Sequence, residues 1–233
     1  MTSRTKTDSE VKEFFKKWPR LYYFIYIVFG PLYFGGLGPK DFLQKYSPNG
    51  KRANLGSGPR TVHPDVLNVD LTSYPSVDLV ADLTDLPFED GELDGALSTE
   101  VMEHIEDPDA VVREMHRVVK PDGYVYISLP FLYPFHASPS DFHRWTHKGF
   151  ESLFTGFTVV ETGVRSGPFS ALTVHLMYIV ASIVSFGNER LYWLAVYASM
   201  FVLFPIKFLD IVGNHLPFAR HNAALLYCVI KKK

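Results

Sequence analysis

The sequence predicts an α/β domain built on a mostly parallel sheet, and three observations carry that reading. The apolar end of Lys51-Arg52-Ala53-Asn54-Leu55 runs straight into Gly56-Ser57-Gly58, a strand that stops in a tight loop. Two further short apolar runs, Val66–Asp70 and Val77–Leu83, carry an acid at or near their ends. Tyr124–Leu129 is apolar or aromatic on both faces, the pattern of a strand buried within a parallel sheet. The 233 residues suffice for one such domain and an appendage.

Taken in order, the chain opens with a polar stretch. Ser9–Trp18 follows as an amphipathic pattern, with Val11, Phe14, Phe15 and Trp18 on one helical face and lysines elsewhere. Leu21–Gly38 then carries no charge. It is long enough to consider as a membrane span, but its Gly30-Pro31 break favours a bent, interfacial element over a straight one. A helix capping the sheet is the competing reading. No secretory signal is expected, because charged residues precede the first apolar stretch and no small-residue cleavage site follows it.

Asp41–Tyr46 reads as a short helix. After Gly58 the next acid, Asp70, arrives too soon to leave room for a full helix between the first two strands. Leu86-Pro87-Phe88 and Asp90-Gly91 form a turn into a fourth strand, and Glu103 and His104 are expected to open the following helix. Pro108–Val119 places Val111, Val112, Met115, Val118 and Val119 on one face, with proline in the first turn. Asp122-Gly123 reads as a turn before the fifth strand, Tyr124–Leu129. Thr146 can cap a helix over His147–Phe154. Gly156–Gly163 and Ala223–Ile230 read as the sixth and last strands.

The ordered set Asn54-Leu55-Gly56-Ser57-Gly58, Asn68-Val69-Asp70, Ala81-Asp82-Leu83, Leu86-Pro87-Phe88, Glu103-His104-Ile105 and Arg117–Gly123 resembles the class I S-adenosylmethionine (SAM)-dependent methyltransferases, in their small bacterial type 11-like branch. The resemblance covers roughly residues 51–160. It implies a Rossmann-like class I methyltransferase fold with a seven-stranded sheet and SAM as cofactor. It implies a cofactor set of Asn54, Gly56, Ser57, Gly58, Arg60, Asp70, Leu71, Asp82, Leu83 and Glu100. Asn54 stands where the family usually has an acid, and Arg60 where it has a third glycine. Arg60 can supply a positive charge for the methionine carboxylate.

Between the sixth and last strands lies an insertion. Pro168–Phe186 has no charge, Gly187–Arg190 is a polar turn, and Leu191–Pro205 is uncharged again. This predicts an apolar helical hairpin that spans a bilayer, lies in its interface, or packs on the domain or a twin subunit. The expected division is an N-terminal segment 1–47, a SAM-binding domain 48–166 with 222–233, and a hairpin 167–221.

Asp70 can accept hydrogen bonds from two ribose hydroxyls, or simply close a turn. By the resemblance Asp82 meets the adenine amino group, with Asp85 able to cap the turn instead. Glu100 falls near the transferred methyl group. The loop Pro130–Thr146 leaves the C-terminal end of a strand, where open α/β sheets bind ligands. It holds His136, Asp141, His143 and Arg144 among five aromatic residues. Of these His136, His143 and Arg144, together with Glu100, are the catalytic candidates, with His136 preferred as base. A rigid lid is the alternative. The loop histidines lack the cysteine or carboxylate set of a zinc site, so no metal is expected.

The net charge of −2 gives no bulk attraction to nucleic acid, and the single Cys228 excludes an internal disulfide. The expected enzyme transfers methyl groups to a lipid, a lipid-linked glycan or another small acceptor at the cytoplasmic face of a membrane. The alternatives are a soluble methyltransferase that dimerises through the hairpin and a non-catalytic membrane scaffold.

Overall fold

The structure, a computed structural model, describes residues 18, 32–137 and 140–233. The amphipathic pattern Ser9–Trp18, Trp18 apart, and most of Leu21–Gly38 lie outside the described residues. The strands are β1 (Arg52–Leu55), β2 (Leu67–Asp70), β3 (Leu79–Val80), β4 (Leu93–Thr99), β5 (Val119–Pro130), β6 (Phe157–Ser166) and β7 (Leu225–Lys232). They form one sheet in the order β3-β2-β1-β4-β5-β7-β6. β1 pairs in parallel with β2 and β4, β2 with β3, and β4 with β5. β7 runs the other way. Its end reaches the start of β5, where Lys232 Nζ donates to Val119 O at 2.8 Å, and its beginning meets the end of β6 through Ala224 N–H to Ser166 O at 2.9 Å. This is the Rossmann-like, mostly parallel arrangement that the sequence predicts.

Helix α1 (Pro39–Tyr46) starts on a proline, and Asp41 accepts the Gly38 N–H at 2.9 Å. It buries Phe42 and Leu43 against Leu97, Tyr126 and Tyr227 of the sheet. Helix α2 (Pro108–Val118) is capped by Asp107, which accepts from Ala110 N–H, and buries Val111, Met115 and Val118 at helical spacing. Arg117 fastens this helix to the turn before β4. Its guanidinium donates to Leu86 O, Phe88 O, Glu114 and Asp90 at 2.7–3.0 Å. Helix α3 (His147–Leu153) begins at Thr146, whose hydroxyl accepts from Gly149 N–H.

Several boundaries differ from the sequence reading. Glu103 and His104 sit in a single 3₁₀ turn, Met102–His104, and do not open the helix. The residue before a proline is disfavoured in the α region, so Asp107 becomes the cap of α2 and the helix cannot start earlier. Asp122-Gly123 is a bulge inside β5. The ladder pairs Leu93 with Val119 and then Gly95 with Tyr124, and Asp122 takes a φ of 63° where the chain loops out. β6 runs on to Ser166, and β7 starts later and ends later than expected. The short gap after Gly58 holds no helix, as its length predicts.

The insertion is helical. α4 (Pro168–Val184) and α5 (Glu189–Leu203) pack through Met177, Ala181 and Val196. Asn188 caps α5. A 3₁₀ segment, Phe204–Leu209, and one turn at Asp210–Gly213 follow. The fully buried Asp210 reaches back to cap α4, accepting from Phe169 N–H at 2.9 Å and Ser170 N–H at 2.8 Å.

The chain divides into two units. One holds the described residues up to Gly36, Phe131–Asp141 and Val164–Leu225, and so contains the hairpin. The other holds Leu37–Pro130, Phe142–Gly163 and Leu226–Lys233, and so contains β1 to β5.

Candidate active site

β1 has β2 on one side and β4 on the other, so the strand order reverses there. In open α/β sheets ligands bind in the crevice that opens beyond such a switch point, at the C-terminal strand ends. Gly56-Ser57-Gly58 lies at the end of β1. The N–H groups of Gly56 and Ser57 both donate to Val69 O, at 2.8 and 3.0 Å, which folds the loop over toward β2. Gly58 N–H donates to Asp70 Oδ2 at 2.7 Å, and Thr72 N–H to Asp70 Oδ1 at 2.9 Å. A carboxylate offers about four acceptor positions, so Asp70 retains capacity for ribose hydroxyls. Leu71, beside it, is 70% exposed, an apolar surface at the strand end.

The two glycines serve different needs. Gly56 has φ 73°, and a Cβ built there would stand 2.5 Å from the Val101 side chain. A side chain at Gly56 would therefore strike Val101. Gly58 has φ 56°, and a Cβ there meets nothing within 4 Å. That open side is where a ligand can approach the backbone.

Asn54 is 2% exposed, and its amide donates to Asn68 Oδ1 at 3.1 Å, which bridges β1 to β2. Ser57 is buried, with its hydroxyl on Gly58 O. Arg60 is partly buried in the loop that follows, its N–H on Ser57 O. Leu83 is buried beside Asp82, whose carboxylate is exposed. The backbone N–H and then the hydroxyl of Thr84 hold the Asp82 carboxyl below its usual range.

At the end of β4, Glu100 takes a φ of 58°, unusual for a residue with a side chain. Its N–H donates to Ser128 O at 2.9 Å. Val101 then packs on the glycine loop. Glu103 is fully buried, and its carbonyl accepts the N–H groups of Phe142 and His143, at 2.7 and 3.3 Å. His143 Nε2 faces Glu106 O at 3.3 Å, and the His143 ring lies against Trp145. Arg144 donates to His143 O at 2.7 Å. Glu100, His104, His143 and Arg144 thus belong to the same end of the sheet unit as the glycine loop and Asp70.

Residues 61–127 match the model of a methyltransferase domain family. That segment is similar to a methyltransferase domain, and the sheet around it has the Rossmann-like fold that class I, SAM-dependent methyltransferases share. The match takes in Asp70, Asp82 and Glu100, and starts just after Arg60. Several solved structures share the fold. The [4+2]-cyclase SpnF has a TM-score of 0.54 at 12% identity, over 97% of this chain and 96% of that one. A SAM-dependent methyltransferase from Thermotoga maritima, described as a possible histamine N-methyltransferase, gives 0.53 at 15%, over 95% and 99%. Phosphoethanolamine N-methyltransferase 2 from Haemonchus contortus, in complex with SAM, gives 0.52 at 17%, over 95% of this chain and 59% of that one. No curated protein matches the sequence. A cyclase among these structures means that the fold alone does not select the reaction.

The methyltransferase domain holds its two acids by one device that the sequence reading passed over. Asp70-Leu71-Thr72 and Asp82-Leu83-Thr84 repeat the same triplet, and in each the threonine N–H donates to the aspartate Oδ1. The repeated triplet was the available signal. Val101 had none, because its contact with Gly56 is tertiary. His136 lies in the other unit. Its backbone N–H donates to Asp141 Oδ2 at 2.8 Å, and its Nδ1 faces Pro134 O at 3.2 Å. With Nδ1–H donated to that carbonyl, a neutral ring carries its lone pair on Nε2.

Proposed function

We propose that this methyltransferase works at a membrane, on a lipid, a lipid-linked glycan or another small acceptor. The observation that carries the membrane part is the hairpin, whose exposed side chains are large and apolar along both arms. In this reading Asp70 binds the ribose hydroxyls and Leu71, Asp82 and Leu83 border the adenine. The glycine loop, with Asn54 and Ser57 behind it, and Arg60 take the methionine portion. Glu100 lies on the methyl side.

Methyl transfer is an in-line displacement. The acceptor oxygen or nitrogen attacks the methyl carbon, the carbon–sulfur bond breaks, and S-adenosylhomocysteine leaves. The protein positions the acceptor and excludes water. His136 or His143 takes the acceptor proton, with His136 preferred because it follows sooner after β5. Arg144 pairs with a phosphate or carboxylate on the acceptor. Methyl-labelled SAM incubated with the enzyme and a total lipid and glycan extract tests the reading: label is expected in the organic-soluble fraction. His136→Ala and Arg144→Ala are expected to lose ~10²-fold or more in turnover with SAM affinity intact. Label confined to water-soluble products overturns the lipid assignment. Full turnover in both variants reduces the loop to scaffolding.

A further inference from the structure

The hairpin carries an inference that rests on the membrane reading and goes further than it. From Pro168 to Gly187, and again from Leu191 to Ile206, there is no aspartate, glutamate, lysine or arginine. On α4, Ile179, Ile183 and Val184 are exposed, and on α5 Leu194, Phe201 and Val202, with Val202 at 76%. At 3.6 residues per turn, the exposed positions of α4 sweep an arc of roughly 200° and those of α5 roughly 140°. Only small or weakly polar groups, such as His175 and Ser182, interrupt them.

Three surroundings could cover such a surface. A helix lying flat in the interface presents a strongly charged face to water, and neither arm has one. A second copy of the chain would cover one face and leave a polar rim, but the α4 arc is wider than one face and neither arm has a rim. A bilayer interior covers the whole arc and asks for no charge.

The ends of the hairpin fit polar interfaces. The tip holds Asn188, Glu189 and Arg190, with Tyr192 and Trp193 in the next turn. Tyrosine and tryptophan are the residues that settle at membrane surfaces. The base carries an exposed Arg220 after the hairpin, a cation suited to anionic headgroups. Between them α4 has 17 residues, about 25 Å of helix against a hydrocarbon core of about 30 Å. The Ser185–Gly187 turn and slight local thinning make up the difference. Both ends of the insertion return to one place, with Ala224 N–H on Ser166 O, as two crossings require.

We propose that α4 and α5 cross the bilayer as a pair and set the Asn188–Arg190 tip at the far polar interface. The test uses the full-length protein reconstituted in phosphatidylcholine–phosphatidylglycerol vesicles. Cys228 is fully buried, and burial pushes its thiol up to about 12, so it stays silent toward maleimides. Arg190→Cys and Arg220→Cys then report on tip and base. In the Arg190→Cys/Arg220→Cys double variant, read by mass spectrometry, a membrane-impermeant maleimide outside is expected to leave one label on every molecule, and permeabilisation brings each to two. Two labels on some molecules and none on the rest, before permeabilisation, would put the hairpin flat on one surface and overturn the crossing. Release of the protein by high salt, or a soluble dimer without detergent, would overturn it in favour of headgroup binding or a second copy. Ile183→Lys with Leu194→Lys, both at exposed positions, is expected to abolish flotation with vesicles while calorimetry still detects SAM. Loss of SAM binding in the parent protein would instead strike the enzyme reading and leave the topology untouched.

Discussion

Replacing each glycine of the β1 loop by alanine separates folding from cofactor binding. At Gly56 the new Cβ meets Val101 at 2.5 Å, on a backbone with φ 73°. The left-handed conformation costs a side-chain-bearing residue about 1–2 kcal/mol, and overpacking adds about 1–3 kcal/mol. Gly56→Ala is therefore expected to lose about 2–5 kcal/mol of stability. Gly58→Ala pays only the backbone part, about 1–2 kcal/mol, because its Cβ meets nothing within 4 Å. Its penalty falls instead on SAM, whose approach the methyl group obstructs. Thermal unfolding and calorimetric titration with SAM, run side by side, read the two effects. Val101→Ala added to Gly56→Ala should return the overpacking part, which a double-mutant cycle isolates. The reasoning fails if Gly56→Ala is as stable as Gly58→Ala, if Val101→Ala gives no relief, or if Gly58→Ala binds SAM at parental affinity.

Two more outcomes are expected. Asp70→Ala removes a charged acceptor that also holds Gly58 N–H, and SAM affinity should drop by about 1.5–3 kcal/mol, read by calorimetry; parental affinity would take Asp70 out of the site. The Arg117 guanidinium holds the Glu114 carboxyl below its ordinary 4.5. A depressed folded pKa gives stability that is present above the unfolded value and lost as pH falls through the folded one. Arg117→Leu should thus cost about 1–3 kcal/mol at neutral pH and flatten the loss of stability below roughly pH 4.5, measured by urea unfolding across pH.

Local chemistry made much of this fold legible. Pro108 and Thr146 announced the starts of α2 and α3 because proline and threonine act on the few residues beside them. The spacing from Gly58 to Asp70 ruled out a helix by length alone. What escaped was set by distant partners. The bulge at Asp122 exists because β5 must rejoin β4 at Tyr124, and no residue pattern in β5 states where β4 will be. Glu103 and His104 read as the opening of the helix that follows them, and the veto came from Pro108 farther along. In the site, Asp70 and the glycines stood out, while the pairing of Gly56 with Val101 did not. Asn54 read as a ligand contact from its place in the motif, and the structure adds its bond to Asn68.

The hydrogen bond from Ala224 to Ser166 means that the sheet experiences everything between those residues as a closed turn. The entropy of closing a loop rises only with the logarithm of its length, so the strands are nearly indifferent to what is threaded there. The hairpin is in effect a cassette. A lineage could acquire, lengthen or discard it without redesigning the sheet. The same indifference offers a bench route: the sheet is expected to fold with Ser166 joined to Ala224 through a short glycine-containing turn.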